Sequence, residues 1–187
     1  VVVHGREGKF SAGFDLGVMM ADDQSAIVNL VANGGELVRT LYGCSVPVVA
    51  ASTGHALAAG ALMLLGCDVR IGADVPAKVG LNEVAIKMVL PDWALTIAGA
   101  RLSKRHMQRS IVNARITTPA DAVDVGFLDE VVPADELLDR AIAAAAELDG
   151  FQDHAGDVPA GDLHLDGLAV SGRDDAVGGV RRDEHDG

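Results

Sequence analysis

Apolar residues recur at helical spacing at Ile27, Val28, Leu30, Val31, Leu37, Val38, Leu41 and Tyr42, behind the acidic and capping residues Asp22 to Ser25. That period gives a helix one apolar face, with Gly34 and Gly35 weakening its middle. Val46 to Ala51, with Pro47, is a continuous β-branched run, the composition of a strand covered on both faces. Ser52 to Leu65 then passes from a small-residue turn into an apolar run of helical length. Strand, tight loop and buried helix are predicted in that order. Asp68 to Ala73 reads as a second buried strand and Asp74 to Ala77 as a turn at Pro76. Glu83 to Leu90 is an apolar segment ending at Pro91. Asp92 to Ala100 is predicted to be a short helix, and Ser103 to cap another that reaches Asn113. Thr118-Pro119 opens a short helix that Gly126 stops. A strand is expected over Leu128 to Val132. Pro133 to Leu148 is an amphipathic helix with Leu137, Leu138, Ala141, Ile142, Ala145 and Leu148 inward, stopping at Asp149-Gly150. Strands alternating with helices make this an α/β protein.

From Phe151 onward the chain turns Gly- and Asp-rich, with scattered His and no sustained period. Such a segment buries little apolar surface and is expected to be disordered. The chain therefore divides into a core over 1–150 and a tail over 151–187.

Composition narrows the partners. A net charge of −12 in 187 residues argues against nucleic acid, which needs a basic face. Cys44 and Cys67 form neither a disulfide framework nor a metal spacing, and no metal site is expected. Both are predicted to be small buried hydrophobes in a reducing compartment. No apolar run approaches the roughly 18 residues of a membrane span, and no cationic cleavable segment is present. A soluble, cytoplasmic protein is expected.

Two glycine-containing loops carry the chemistry. Ala58, Ala59 and Gly60 have almost no side chain, so another group can approach the backbone there. The free N–H groups of an opening helix favour negative charge. Phe10-Ser11-Ala12-Gly13-Phe14-Asp15-Leu16 is a second such loop, following the apolar Val1-Val2-Val3. Two loops of this type can each aim one N–H at the same oxygen. Either loop alone is explained as well by close helix–strand packing.

As a set and in this order, Phe10 to Leu16, the Gly54 to Gly60 loop, Cys67-Asp68-Val69-Arg70 and Asn82-Glu83-Val84-Ala85-Ile86 resemble the crotonase family, the enoyl-CoA hydratases and isomerases. The resemblance runs from about Val1 to about Asp149. It implies a Clp/crotonase-like spiral of strand–strand–helix repeats, incomplete at the N-terminus, where further strands and some coenzyme A contacts normally precede. It implies an acyl-CoA thioester as substrate, with coenzyme A as part of that substrate and no separate cofactor. The backbone N–H groups of Phe14 and Ala59 are expected to hold the thioester oxygen as an enolate forms. Ala12, Gly13, Asp15, Leu16 and Gly60 are expected to contact the coenzyme A portion or shape its loops, Asp15 as a turn or cap residue. The family forms trimers and hexamers, an assembly that the unfamiliar tail calls into question. A replaced C-terminus or a shifted reading frame is the hypothesis for that tail.

Hydratases of the family use two glutamates. One falls at Glu83; the other falls at a position occupied here by Leu62. A single carboxylate can move a proton from carbon 2 to carbon 4, so isomerisation is favoured over hydration. Glu83 sits among Leu81, Val84, Ala85 and Ile86, and burial there would raise its pKa toward that of a working base. Asp92 stands in a region where some isomerases place a carboxylate, though an N-cap after Pro91 accounts for it as well. Lys87 occupies a position where the resemblance implies glycine. Arg101, Lys104, Arg105 and Arg109 are a solvated helix face or an electrostatic aid to coenzyme A. His55 is a pocket-wall or packing residue. A serine-peptidase reading fails because Ala58 stands where the nucleophile belongs. The glycines do not make a dinucleotide fingerprint. The competing reading is a truncated, catalytically impaired paralogue that only binds acyl-CoA or packs with intact subunits.

Overall fold

A computed structural model describes residues 1–152. Its seven strands are β1 (Val2–His4), β2 (Gly8–Ser11), β3 (Val49–Ser52), β4 (Gly54–Leu57), β5 (Val69–Ala73), β6 (Val79–Gly80) and β7 (Glu130–Val132). Its helices are α1 (Leu16–Met19), α2 (Gln24–Tyr42), α3 (Ala59–Leu65), α4 (Asp92–Arg101), α5 (Lys104–Ile111), α6 (Pro119–Val125) and α7 (Leu137–Gln152). The odd-numbered strands form one parallel sheet in the order β1-β3-β5-β7, and the even-numbered ones a second, β2-β4-β6. The first three turns of the chain each lay one strand in each sheet before a helix returns it, and the last lays β7 in the first sheet alone. This is the spiral of strand–strand–helix repeats that the resemblance implied.

The expected loop over Gly54 to Leu57 is instead the middle strand of the second sheet, paired with β2 on one side and β6 on the other. Thr53 is the one residue outside both strands, and its hydroxyl donates to the Arg6 carbonyl at 2.8 Å, pinning the crossover between sheets. Local small-residue content reads as a turn; the ladder to partners forty-odd residues earlier is a tertiary effect that no local pattern carries.

Two hydrophobic layers hold the spiral. Val48 and Ala50 face the main core with Leu62, Leu64, Leu65, Ile97 and Phe127, while Val49 and Ala51 face Leu137, Ala141 and Ala144 of α7. The sheet is therefore covered on both faces, as its near-continuous apolar run requires. Leu138 and Ile142, expected inward, are 47% and 52% exposed, because only a narrow stripe of α7 meets the sheet. That helix also runs past Asp149-Gly150 to Gln152. The remainder of the expected tail lies outside the described residues.

The predicted caps hold in part. Asp23 accepts from Ser25 and Ala26 at the start of α2, and the Thr118 hydroxyl accepts from Asp121 at the start of α6. Ser103 begins α5 through its backbone carbonyl, which accepts from His106 and Met107, with no side-chain cap. Arg70 is buried and binds both carboxylate oxygens of Asp129 and the Gly126 carbonyl, tying β5 to the loop ahead of β7. Cys67 is buried, and desolvation pushes its thiol up to about 12. Cys44 is exposed, not buried as expected, because it lies beyond the end of α2 and before β3.

Candidate active site

The loop from β2 and the turn from β4 into α3 meet at one point. Gly13 has φ +94°, a conformation that L side chains rarely adopt. A Cβ at Gly13 would lie 2.9 Å from the Ala58 Cβ and 3.3 Å from the Ala59 nitrogen. Gly60, one residue further, packs so tightly against Ser11 that a Cβ there would collide with the Ser11 carbonyl. The glycines are what let the two loops touch.

Ala58 itself has φ +51° and ψ −127°, an unusual conformation for a residue with a Cβ. It bends the chain sharply from β4 into α3 and leaves the Ala59 N–H at the helix start. Among the described residues neither the Phe14 nor the Ala59 N–H has a hydrogen-bond partner. A strained strand-to-helix turn is also where hydrolases present a nucleophile. Alanine carries none.

Beside this junction lies a cavity of about 360 Å³. It is lined by Ala12, Phe14, Leu16, Met19, Val31, Leu57, Ala58, Leu62, Asn82, Glu83, Ile86, Met88, Val89, Pro91 and Trp93. The lining is mostly apolar with a few polar groups, the usual character of a small-molecule site. Glu83 is 8% exposed, and its Oε2 has no hydrogen-bond partner. Burial raises its carboxyl pKa. Asn82 Oδ1 and Trp93 Nε1 are likewise buried and unpartnered. Buried polar atoms are rarely left this way unless something else is to occupy the space.

Glu83 starts a single 3-10 turn over Val84–Ile86, and its carbonyl accepts from the Ile86 and Met88 N–H groups. Lys87 ends that turn at φ +64°, which explains why glycine suits the position. Lys87 is exposed, while its neighbours Ile86 and Met88 line the cavity.

The remaining expected site residues divide. Ala12 and Leu16 line the cavity. Asp15 caps α1, accepting from the Gly17 N–H at 2.7 Å. Asp92 does not join the cavity: it is the exposed first residue of α4, and Pro91 holds the cap position instead. Arg101 stacks over the Tyr42 ring at 5.0 Å, and Lys104, Arg105 and Arg109 are exposed on α5, so this cluster is also absent from the lining. His55 Nδ1 accepts from the Lys78 N–H at 2.9 Å, a packing role. Among the described residues no group of three His, Cys, Asp or Glu is placed to hold a metal ion, and no helix is long and apolar enough to cross a membrane.

Sequence reasoning passed over Trp93, Asn82, Met88 and Val31. The two adjacent glycines of α2 are the signal that could have found Trp93. A Cβ on Gly35 would lie 3.0 Å from the indole Nε1, and one on Gly34 would fall against the Phe14 ring. Paired glycines in a helix middle cost about 1 kcal/mol each relative to alanine, a sign that something must seat there.

Comparison with known proteins gives a consistent picture. A model described as enoyl-CoA hydratase/isomerase matches residues 1–156. The chain is 32% identical over 156 residues to mitochondrial enoyl-CoA delta isomerase 1 of Homo sapiens, a match covering 83% of this chain and 52% of that protein. A crystal structure of an enoyl-CoA hydratase/isomerase family protein from Pseudomonas syringae superposes with a TM-score of 0.76 at 42% identity, over 79% of this chain and 64% of that one. The human mitochondrial delta3-delta2-enoyl-CoA isomerase superposes with a TM-score of 0.77 at 32% identity, over 82% of this chain and 60% of that one. The chain spans about half the length of the curated relatives it matches.

Proposed function

The chain belongs to the enoyl-CoA hydratase/isomerase family, and on that premise we propose that it shifts the double bond of an enoyl-CoA thioester, with Glu83 as the one proton carrier. The observation that carries this is the cavity's single carboxylate. Glu83 is buried with an unpartnered oxygen beside the junction of the two loops, and Leu62 occupies the place of a second acid. The identity to proteins named enoyl-CoA delta isomerases supports the same choice.

The substrate is a 3-enoyl thioester. Its carbonyl oxygen accepts from the Phe14 and Ala59 N–H groups. The Glu83 carboxylate removes a proton from carbon 2, and the electron pair moves onto the oxygen as a dienolate. The same carboxyl returns the proton to carbon 4, and the double bond comes to rest between carbons 2 and 3. No atom is gained or lost. The donors act where the charge develops, which makes such pairs worth on the order of 100-fold or more in rate. Desolvation makes Glu83 a stronger base than a solvated glutamate. Coenzyme A enters as part of the substrate, its adenine end against the backbone of Ala12 to Leu16.

The test is direct. Purified protein given a 3-enoyl-CoA should produce the absorbance of the conjugated 2-enoyl thioester, and Glu83→Gln should abolish it. Turnover that survives in the variant rejects Glu83. Binding of acyl-CoA with no turnover by the unaltered chain favours an impaired, binding-only paralogue.

A further inference from the structure

Trp93 is the one tryptophan in the chain and stands between two cavities. One is the 360 Å³ cavity that holds Glu83. The other is a pocket of about 220 Å³ between α2 and α4, lined by Ala32, Gly35, Val38, Tyr42 and Ile97, with the Glu36–Arg39 ion pair also in its wall. Ala32, Glu36 and Arg39 are exposed, so this second pocket reaches the surface.

Resting on the isomerase reading above, we infer that the Trp93 indole is the partition that sets how long an acyl chain the site accepts. Three observations converge on it. The indole contributes to both linings. Its edge is seated against Gly35, where an added Cβ would lie 3.0 Å from the indole. The space beyond it is mainly apolar, as a hydrocarbon tail requires, and leads outward. An acyl tail that outgrows the first cavity meets the flat ring. Without the ring, the two cavities become one channel running from Glu83 to the surface of α2.

Excluding even one methylene from an apolar pocket is worth roughly tenfold or more in kcat/KM. In the unaltered protein, kcat/KM should therefore fall from trans-3-hexenoyl-CoA to trans-3-dodecenoyl-CoA. Trp93→Ala should raise the dodecenoyl-to-hexenoyl ratio by about tenfold or more, and Trp93→Leu, which is gentler on the fold, should raise it less. Adding Ala32→Leu to Trp93→Ala narrows the second pocket and should reverse much of the gain. A ratio within about twofold of the unaltered protein's in both Trp93 variants overturns the inference. A further readout needs no turnover: the emission of this single tryptophan should shift on titration with saturated hexanoyl-CoA and stay unchanged with free coenzyme A. No shift with the acyl thioester also overturns it. If the unaltered chain binds acyl-CoA with a Trp93 shift but moves no double bond, the isomerase reading fails while the partition stands. If turnover is normal and the length profile is unmoved, the partition alone fails.

Discussion

Gly13 faces the Ala59 nitrogen across the two loops, and the position of a Cβ on the glycine is only 3.3 Å from that nitrogen. The contact seats the loop that carries Phe14 against the turn that opens α3. A methyl group there would crowd the Ala58 Cβ and strain a backbone held at φ +94°. Gly13→Ala should therefore lower kcat by about 100-fold or more, the usual cost of losing one such donor. Its stability should fall by only about 1–3 kcal/mol, the cost of a strained backbone position. Kinetics on a 3-enoyl-CoA together with thermal unfolding check both parts; an unchanged kcat would mean that the loops do not act together.

Glu83 is buried at the expense of the fold. Its buried oxygen has no partner, and burial raises its pKa above the ordinary 4.5. The native state thus holds a proton that the unfolded state releases first. Stability should fall as pH rises from the unfolded value through the raised one. Glu83→Gln removes that loss. It should raise the unfolding temperature at pH 7 to 8 by a few degrees, consistent with about 1 kcal/mol or more for relieving a buried unpaired group. Near pH 4 the two proteins should unfold alike. In the active protein the acid limb of the pH–rate profile should lie above 4.5, since only the carboxylate accepts the proton.

Ala58 holds a strained backbone at φ +51° and ψ −127°. Glycine adopts that conformation freely, although it costs more entropy to order. The strain is worth about 1–3 kcal/mol, so Ala58→Gly should stabilise by a net ~1 kcal/mol. For a chain of this size that is a rise of about 2–4 °C, read by calorimetry. A drop in unfolding temperature would show that the Ala58 methyl contributes more by packing than it costs in strain.

How much of this was legible beforehand depended on range. Helices with their own start and stop signals, such as α2 behind Asp23 and α6 between Thr118 and Gly126, were readable because their information is local. The loops around Gly13 and Gly60 and the single glutamate Glu83 were readable through a pattern distributed over the chain. The strand Gly54–Leu57 was not, because its identity comes from pairing with β2 and β6. Trp93 was not, because its place in the cavity wall depends on which helix lies opposite. Asp92 was a candidate only through the family resemblance, beside an N-cap reading; helix geometry turns it to solvent one position before the indole that lines the cavity.

Arg70 and Asp129 give a structural prediction remote from the cavity. The guanidinium side chain is only 8% exposed and is held by Asp129 and the Gly126 carbonyl. Asp129→Asn leaves a buried charge without its counter-charge and sets an N–H₂ donor where one carboxylate oxygen accepted. Removing one partner of a buried pair costs about 3–5 kcal/mol, and the 41% exposure of Asp129 brings the expectation to the lower end of that range. Urea unfolding measures it. The isomerase constants should barely change, because neither residue lines the cavity.

In the proposed mechanism, Leu62 decides which reaction one carboxylate can run. It is 2% exposed and lines the cavity from the first turns of α3, facing the same space as Glu83. Adding water across a double bond needs one group to activate the water and another to supply the proton to carbon 2; shuttling one proton along the substrate needs a single group. An apolar Leu62 also gives water no partner at that wall. Leu62→Glu should therefore raise hydration of crotonyl-CoA relative to isomerisation of a 3-enoyl-CoA by about tenfold or more, the scale of one positioned acid or base. The new carboxylate is buried near another, so both should hold protons at higher pH and the fold should lose stability. Leu62→Gln keeps the size and polarity without the proton, and should lose stability without gaining hydration. A variant in which glutamine and glutamine's acid hydrate equally well, or neither does, would remove Leu62 from the explanation of reaction choice.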